Sequence, residues 1–259
     1  MAPQTFGIVG YGHFGSFLAR SLARDGKEVL VTDVDETKLP AMPPGVRAAS
    51  MRDVAHADVA VIAVPFASFE PAVTDLRRHL VDDTVVMDVV SIKARSTDVL
   101  QAILDGHPNL IASHPLFGPP SMEWINPGDR LVITHEEGER SKEVHRYLEQ
   151  DLGLTILKRD AAEHDKTMAY MQALPFFIAR ALGTLDLPPD DLLMIPSYEK
   201  LVLIAGIEEH HTQEMFDTSQ LGNPYAADVR REFLEALMKL DADINQRDPA
   251  DRLQTELQP

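Results

Sequence analysis

Between residues 5 and 158, short apolar runs alternate with amphipathic segments, and this rhythm constrains the fold more than any single residue does. TFGIVG, EVLVTD, ADVAVIAVP, DTVVMDVV, NLIASHP, RLVITH and LTILK read as strands. Most of the segments between them read as helices: HFGSFLARSLARDG, for example, puts Phe14, Phe17, Leu18 and Leu22 on one face. ASFEPAVTDLRRHL, STDVLQAIL and GERSKEVHRYLEQDLG follow the same period. ADVAVIAVP is apolar at almost every position, the pattern of a strand covered on both faces. Strands joined through helices pair in parallel with right-handed crossovers. Residues 1–158 therefore predict an α/β fold, a doubly wound Rossmann-type parallel sheet.

Near residue 158 the rhythm stops. AAEHDKTMAYMQALPFFIARALGTL sets Met168, Met171, Leu174, Ile178, Leu182 and Leu185 at helical spacing, with Pro175 placed to kink the helix. A further helix is expected over 190–208, and a last one from NPYAADV onward, with Val229, Phe233, Leu237, Leu240 and Ile244 in one stripe. Residues 159–259 thus read as an all-helical substrate and dimerisation domain. Its apolar stripes need cover, either from one another or from a second copy of the chain.

Composition narrows the partners. With 41 Asp and Glu against 24 Lys and Arg, the formal net charge of −17 opposes binding to nucleic acid or to an anionic membrane surface. No apolar stretch approaches the roughly eighteen residues of a transmembrane helix, and MAPQTFGIVG lacks the basic and apolar regions of a secretory signal. The absence of cysteine removes disulfides and thiolate chemistry and fits a reducing cytoplasm, the expected location. EEHHT offers His210 and His211, but adjacent helical residues diverge by about 100° and chelate poorly, so no metal is expected.

GIVGYGHFGS places Gly10, Gly12 and Gly15 in the G-x-G-x-x-G spacing, directly after a strand and at the opening of a helix. Gly10 permits the tight turn, Gly12 lets the backbone approach a pyrophosphate, and Gly15 lets helix and strand pack closely. His13 and Phe14 lie in the first helical turn, at its positive end. The second strand runs out at Asp33, placed to bond a ribose hydroxyl, and Val64 and Pro65 reach the same rim from the third. A carboxylate there repels a 2′-phosphate and TDVDETK holds no arginine, so NAD is favoured over NADP; Lys38 keeps the second cofactor open. Two more stretches end strands on this rim, DVVSIK with Ser91 and Lys93, and SHPLFGPPS with His114. His114 is a candidate proton acceptor beside a nicotinamide, with Ser91 holding its tautomer; the alternative is a histidine that only caps its loop.

GIVGYGHFGSFLA, DVVSIK, SHPLFGP, EHD, MQALP and NPYA occur in the order found in the prephenate and arogenate dehydrogenases, which this chain resembles over most of its length. The resemblance implies a Rossmann domain, a helical domain that builds a homodimer, and a substrate cleft between them. It also implies oxidative decarboxylation of a cyclohexadienol, the C4 hydride passing to NAD(P)+ and the hydroxyl proton to His114, in tyrosine biosynthesis. Ser91 resembles the family serine that bonds both this histidine and the substrate oxygen, and Gln172 lies in the pocket segment.

Two positions depart from the pattern. Phe176 stands where many relatives carry a pocket histidine, and Glu199 where they carry an arginine for a substrate carboxylate. Either Lys200 or Arg180 replaces that cation, or the substrate carries an amine, as arogenate and 4-amino-4-deoxyprephenate do. A non-catalytic NAD-binding regulator is the remaining alternative.

Overall fold

The computed structural model describes residues 2–39, 42–119, 122–188, 193–207 and 212–246. Its strands are β1 (Thr5–Val9), β2 (Glu28–Thr32), β3 (Val46–Ala48), β4 (Val59–Ile62), β5 (Val85–Asp88), β6 (Leu110–Pro115), β7 (Arg130–Glu137) and β8 (Thr155–Lys158). They form one sheet in the order β3-β2-β1-β4-β5-β6-β7-β8. The strands from β1 to β6 pair in parallel, but β7 runs antiparallel to β6, and β8 parallel to β7. The doubly wound parallel sheet expected of residues 1–158 is present, with β6 and β7 as its one antiparallel pair. No helix lies among the described residues between β6 and β7, so the chain returns directly and reverses direction. The edge strand β3 has no counterpart among the predicted elements, because three residues are too few to display a period.

Alternation sends neighbouring residues to opposite faces. Ile8, Val59, Val61 and Ile111 join one buried cluster with Ala19 and Leu22 of α1 (His13–Arg24) and Val144 of α5 (Glu139–Arg146). Val9, Ala60, Ile62 and Ala112 join the other. There the cover comes from Ala55 of α2 (Met51–Ala55), Leu76 of α3 (Phe69–Arg77) and Leu100 of α4 (Ala94–Ile103). Both faces being dry explains why β4 is uniformly apolar.

Beyond β8 the described elements are helical. α6 (Ala161–Met168) passes through a wide π turn, Ala169–Ala173, into α7 (Leu174–Gly183). The break expected at Pro175 takes this form: a proline has no N–H to donate, and the widened turn before it absorbs the loss. α8 spans Pro196–Ala205, shorter than the predicted helix, whose outer residues fall partly outside the described ones. α9 (Gln213–Asp217) leads through a second wide turn, Thr218–Gly222, to α10 (Ala226–Asn245). Of the predicted α10 stripe, Val229 is buried and Phe233 half-buried, while Leu237, Leu240 and Ile244 are exposed. Among the described residues no helix is long and apolar enough to cross a membrane.

Candidate functional site

The carboxyl ends of β1, β2, β4, β5 and β6 form one rim. Gly10 has φ of +100°, and a Cβ on it would sit 2.6 Å from the Ala63 carbonyl oxygen. A Cβ on Gly15 would lie 2.0 Å from the carbonyl oxygen of Gly10, so only glycine allows α1 to start this close to the turn. Gly12 is different, because its Cβ would meet nothing within 4 Å. It opens onto empty space in front of the first turn of α1, whose N-terminus no side chain caps. Backbone N–H groups, a positive helix end and room for a close approach fit a dinucleotide pyrophosphate. His13 is exposed there. The Phe14 ring turns instead toward Phe17, centroids 5.8 Å apart, leaving only its backbone for a phosphate.

Asp33 follows β2 and ties the glycine loop down: Oδ2 accepts from Tyr11 N–H at 2.7 Å and Oδ1 from Asp35 N–H at 2.8 Å. Lys38 Nζ stands 3.2 Å from the same carboxylate. The nearest cation is thus already paired with the ribose candidate. Val64 is half-buried against the glycine turn and Pro65 is exposed at the rim.

His114 lies near the end of the wholly buried β6 and is 6% exposed. Its Nδ1 is 2.9 Å from His164 Nε2, and His164 Nδ1 is 2.8 Å from Asp165 Oδ1. Asp165 also accepts from the backbone N–H groups of Lys93 and Ala94, at 2.8 and 2.9 Å. Its own carbonyl accepts from Asn223 Nδ2 at 2.8 Å. The Lys93 side chain is fully buried, donating to Asp88 and to the Ser113 carbonyl. Burial first, then the neighbouring His164 ring and the Lys93 ammonium, hold the His114 pKa well below the usual 6.5. The imidazole is therefore neutral at pH 7, the state a base requires.

This arrangement corrects one expectation. The hydrogen bond expected from Ser91 to His114 is absent, because His164 occupies Nδ1; Ser91 is half-buried on the turn between β5 and α4. His164 and Asp165 belong to the EHD segment, whose local pattern by itself assigns neither of them a role. Fifty residues separate His114 from His164, and no periodicity links them. Gln172 and Phe176 are half-buried on the π turn and α7. Lys200 and Glu199 are exposed on α8, which packs on α7, and no described hydrogen bond or ion pair joins either to the His114 group. Arg180 reaches α9 instead, stacking over Phe216 at 3.6 Å and donating to Gln213 Oε1 at 2.6 Å. Among the described residues no group of three or more His, Asp and Glu could hold a metal ion, and His210 and His211 lie outside those residues.

The family model for the prephenate dehydrogenase nucleotide-binding domain matches residues 18–147, half of the chain. The chain belongs to the prephenate dehydrogenase family. The match contains Asp33, Ser91 and His114 and begins just after the glycine loop. Arogenate dehydrogenase 1 of Arabidopsis thaliana is 25% identical over 249 residues, 92% of this chain and 39% of that protein. The 4-amino-4-deoxyprephenate dehydrogenase of Streptomyces pristinaespiralis is 28% identical over 233 residues, 87% of this chain and 74% of that protein. The chain spans about half the length of several curated relatives that it matches. Its fold is similar to that of the prephenate dehydrogenase from A. aeolicus solved with hydroxyphenyl propionate and NAD+, with a TM-score of 0.74 at 20% identity. That likeness covers 98% of this chain and 96% of the other, the helical half included.

Proposed function

We propose that this chain is an NAD-dependent dehydrogenase that oxidatively decarboxylates a prephenate-type cyclohexadienol, prephenate or arogenate, in tyrosine biosynthesis. One observation carries the reading: a buried, neutral His114 stands on the same rim as an open glycine cradle, in a chain of this family. Gly10, Gly12, Gly15 and the first turn of α1 hold the pyrophosphate, and Asp33 the ribose, with NADP disfavoured by the same carboxylate. A bound nicotinamide supplies the hydride acceptor. His114 Nε2 takes the C4 hydroxyl proton as the hydride leaves that carbon. When carbon dioxide departs and the ring becomes aromatic, the oxygen takes the proton back. Ser91, Gln172, Phe176 and Lys200 are the proposed substrate contacts, in a cleft between residues 1–158 and 159–259. Exposed Leu203, Leu237 and Met238 support a homodimer through the C-terminal helices. A cytoplasmic location is part of the same proposal.

A second reading has its own support. Glu199 is acidic where the family cation is expected, and one relative that matches 87% of the chain acts, by its name, on a ring-aminated substrate. The test is reduced-cofactor formation with NAD+ and NADP+ against prephenate, arogenate and 4-amino-4-deoxyprephenate. His114→Asn should lower turnover by about 1000-fold while leaving NAD affinity intact. Turnover of the ring-aminated substrate alone selects the second reading. Tight NAD binding without turnover of any substrate overturns both and favours a regulator.

A further inference from the structure

Resting on His114 as the base, we propose that His164 is a positioning residue. Backed by Asp165, it fixes His114 in the tautomer whose Nε2 carries the lone pair, and it shares the proton that His114 takes from substrate. The polarity follows from the donors. The Asp165 carboxylate receives two backbone N–H groups at the start of α4, and its third partner is His164 Nδ1. An acceptor of this kind calls for a proton on His164 Nδ1 and leaves Nε2 of the neutral ring bare. The 2.9 Å contact to His114 then takes its proton from His114 Nδ1, and His114 Nε2 is left unprotonated.

The charged and titratable neighbours favour this polarity. Protonating His164 in the resting state would add a positive charge to a dry site that already holds the Lys93 ammonium. Asp88 already pairs with that ammonium, and Asp165 is shared among three donors. His164 is 3% exposed and Asp165 0%, so no bulk water competes for either contact. When His114 Nε2 gains the substrate proton, the O–H bond breaks and the N–H bond forms. The Nδ1 proton can then shift to His164 Nε2, spreading the positive charge over two rings against Asp165. The shift reverses when the oxygen recovers its proton, so the relay is neither a net source nor a net sink. Its members come from both halves: His114 from β6, Lys93 and Ala94 at the start of α4, His164 and Asp165 from α6, and Asn223 from the segment before α10.

The test replaces the acceptor and reads the tautomer. In histidine-labelled wild-type enzyme, long-range ¹H–¹⁵N correlation should show His114 protonated at Nδ1, the signal being assigned by its loss in His114→Asn. His164→Phe keeps a ring but removes the acceptor; His114 should move to the Nε2–H tautomer and kcat should fall about 100-fold, with KM and NAD affinity unchanged. His164→Gln restores an acceptor oxygen near the old Nε2 and should recover the Nδ1–H tautomer and most of kcat. A wild-type His114 protonated at Nε2 overturns the proposal, as does equal kcat in the Phe and Gln variants with the tautomer unmoved. If the Phe variant fails to fold, the wild-type spectrum and the Gln variant still decide. The spectra do not depend on turnover, so they separate this inference from the assignment of His114 as base, which His114→Asn tests directly.

Discussion

Ile8, Val59 and Ile111 of the sheet are wholly inaccessible, whereas Leu203 on α8 is 73% exposed and Met238 on α10 is 65% exposed. Both regions carry apolar residues at regular spacing. In the sheet, helices of the same chain cover both faces, so an apolar strand is a buried strand. In the helical region the stripe of α10 outlasts its cover: Ala226 and Val229 are buried, and the described residues beyond Phe233 are exposed. Period tells which residues share a face. It does not tell what lies opposite.

The sharpest way to break this comparison is to truncate one residue on each side of it. Ile8→Ala should cost about 3 kcal/mol, through lost transfer energy and a cavity that the surrounding strands cannot close. Urea unfolding should show this as a lower midpoint at unchanged slope. A change under 1 kcal/mol would mean that the sheet core is far more forgiving than its burial indicates.

Acid should separate stability from activity in the same half. The folded-state pKa of His114 lies below its unfolded value of about 6.5. As pH falls through 6.5 the unfolded chain gains this proton first. The contribution to stability is therefore complete above about pH 6.5 and declines below it, toward the folded-state value. The base in the folded enzyme stays neutral over that window. The acid limb of kcat/KM should lie below pH 6.5, while the urea midpoint already drops between pH 7.5 and 5.5. An acid limb at or above 6.5 would contradict the buried, neutral assignment.

A smaller effect is expected at the rim. Asp33→Asn removes the charge that pairs with Lys38 and repels a 2′-phosphate. NAD should bind about tenfold more weakly, and the preference over NADP should narrow by a similar factor. Fluorescence titration with both cofactors reads the two numbers. An unchanged ratio would assign the choice of cofactor elsewhere. Last comes Met238→Ser, which on an exposed helix face should change the stability of the folded chain by less than about 0.5 kcal/mol. Under the proposed homodimer it should nonetheless weaken self-association in sedimentation, since that face would be covered in the assembly. A variant that sediments like the parent at every concentration would remove α10 from the interface.

Much of the rim was legible in advance because its signals are local. Gly10, Gly12 and Gly15 stand within six residues, and the backbone geometry each requires is visible in their spacing. Asp33 could be placed at a strand end because a strand of β2's composition ends there. The reversal of β7 was less visible: every strand of a doubly wound sheet looks alike in apolarity, and only the missing helix before it signals the change of direction. Pro175 announced a break, though not that a π turn would absorb it.

The partner of His114 was not legible at all. Neighbouring strand ends and the family resemblance both point to Ser91 as the residue that holds the imidazole, yet the imidazole turns to a histidine of α6 instead. By itself, the sequence determined the alternation that builds the sheet, the glycine turn and the order of the family motifs, since each depends on residues close together in the chain. Only the tertiary structure decided that His114, His164, Asp165 and Lys93 meet in one dry site, and that α8 and α10 keep their apolar faces open. Contacts between distant residues are set by how whole elements pack, and no local period carries that information.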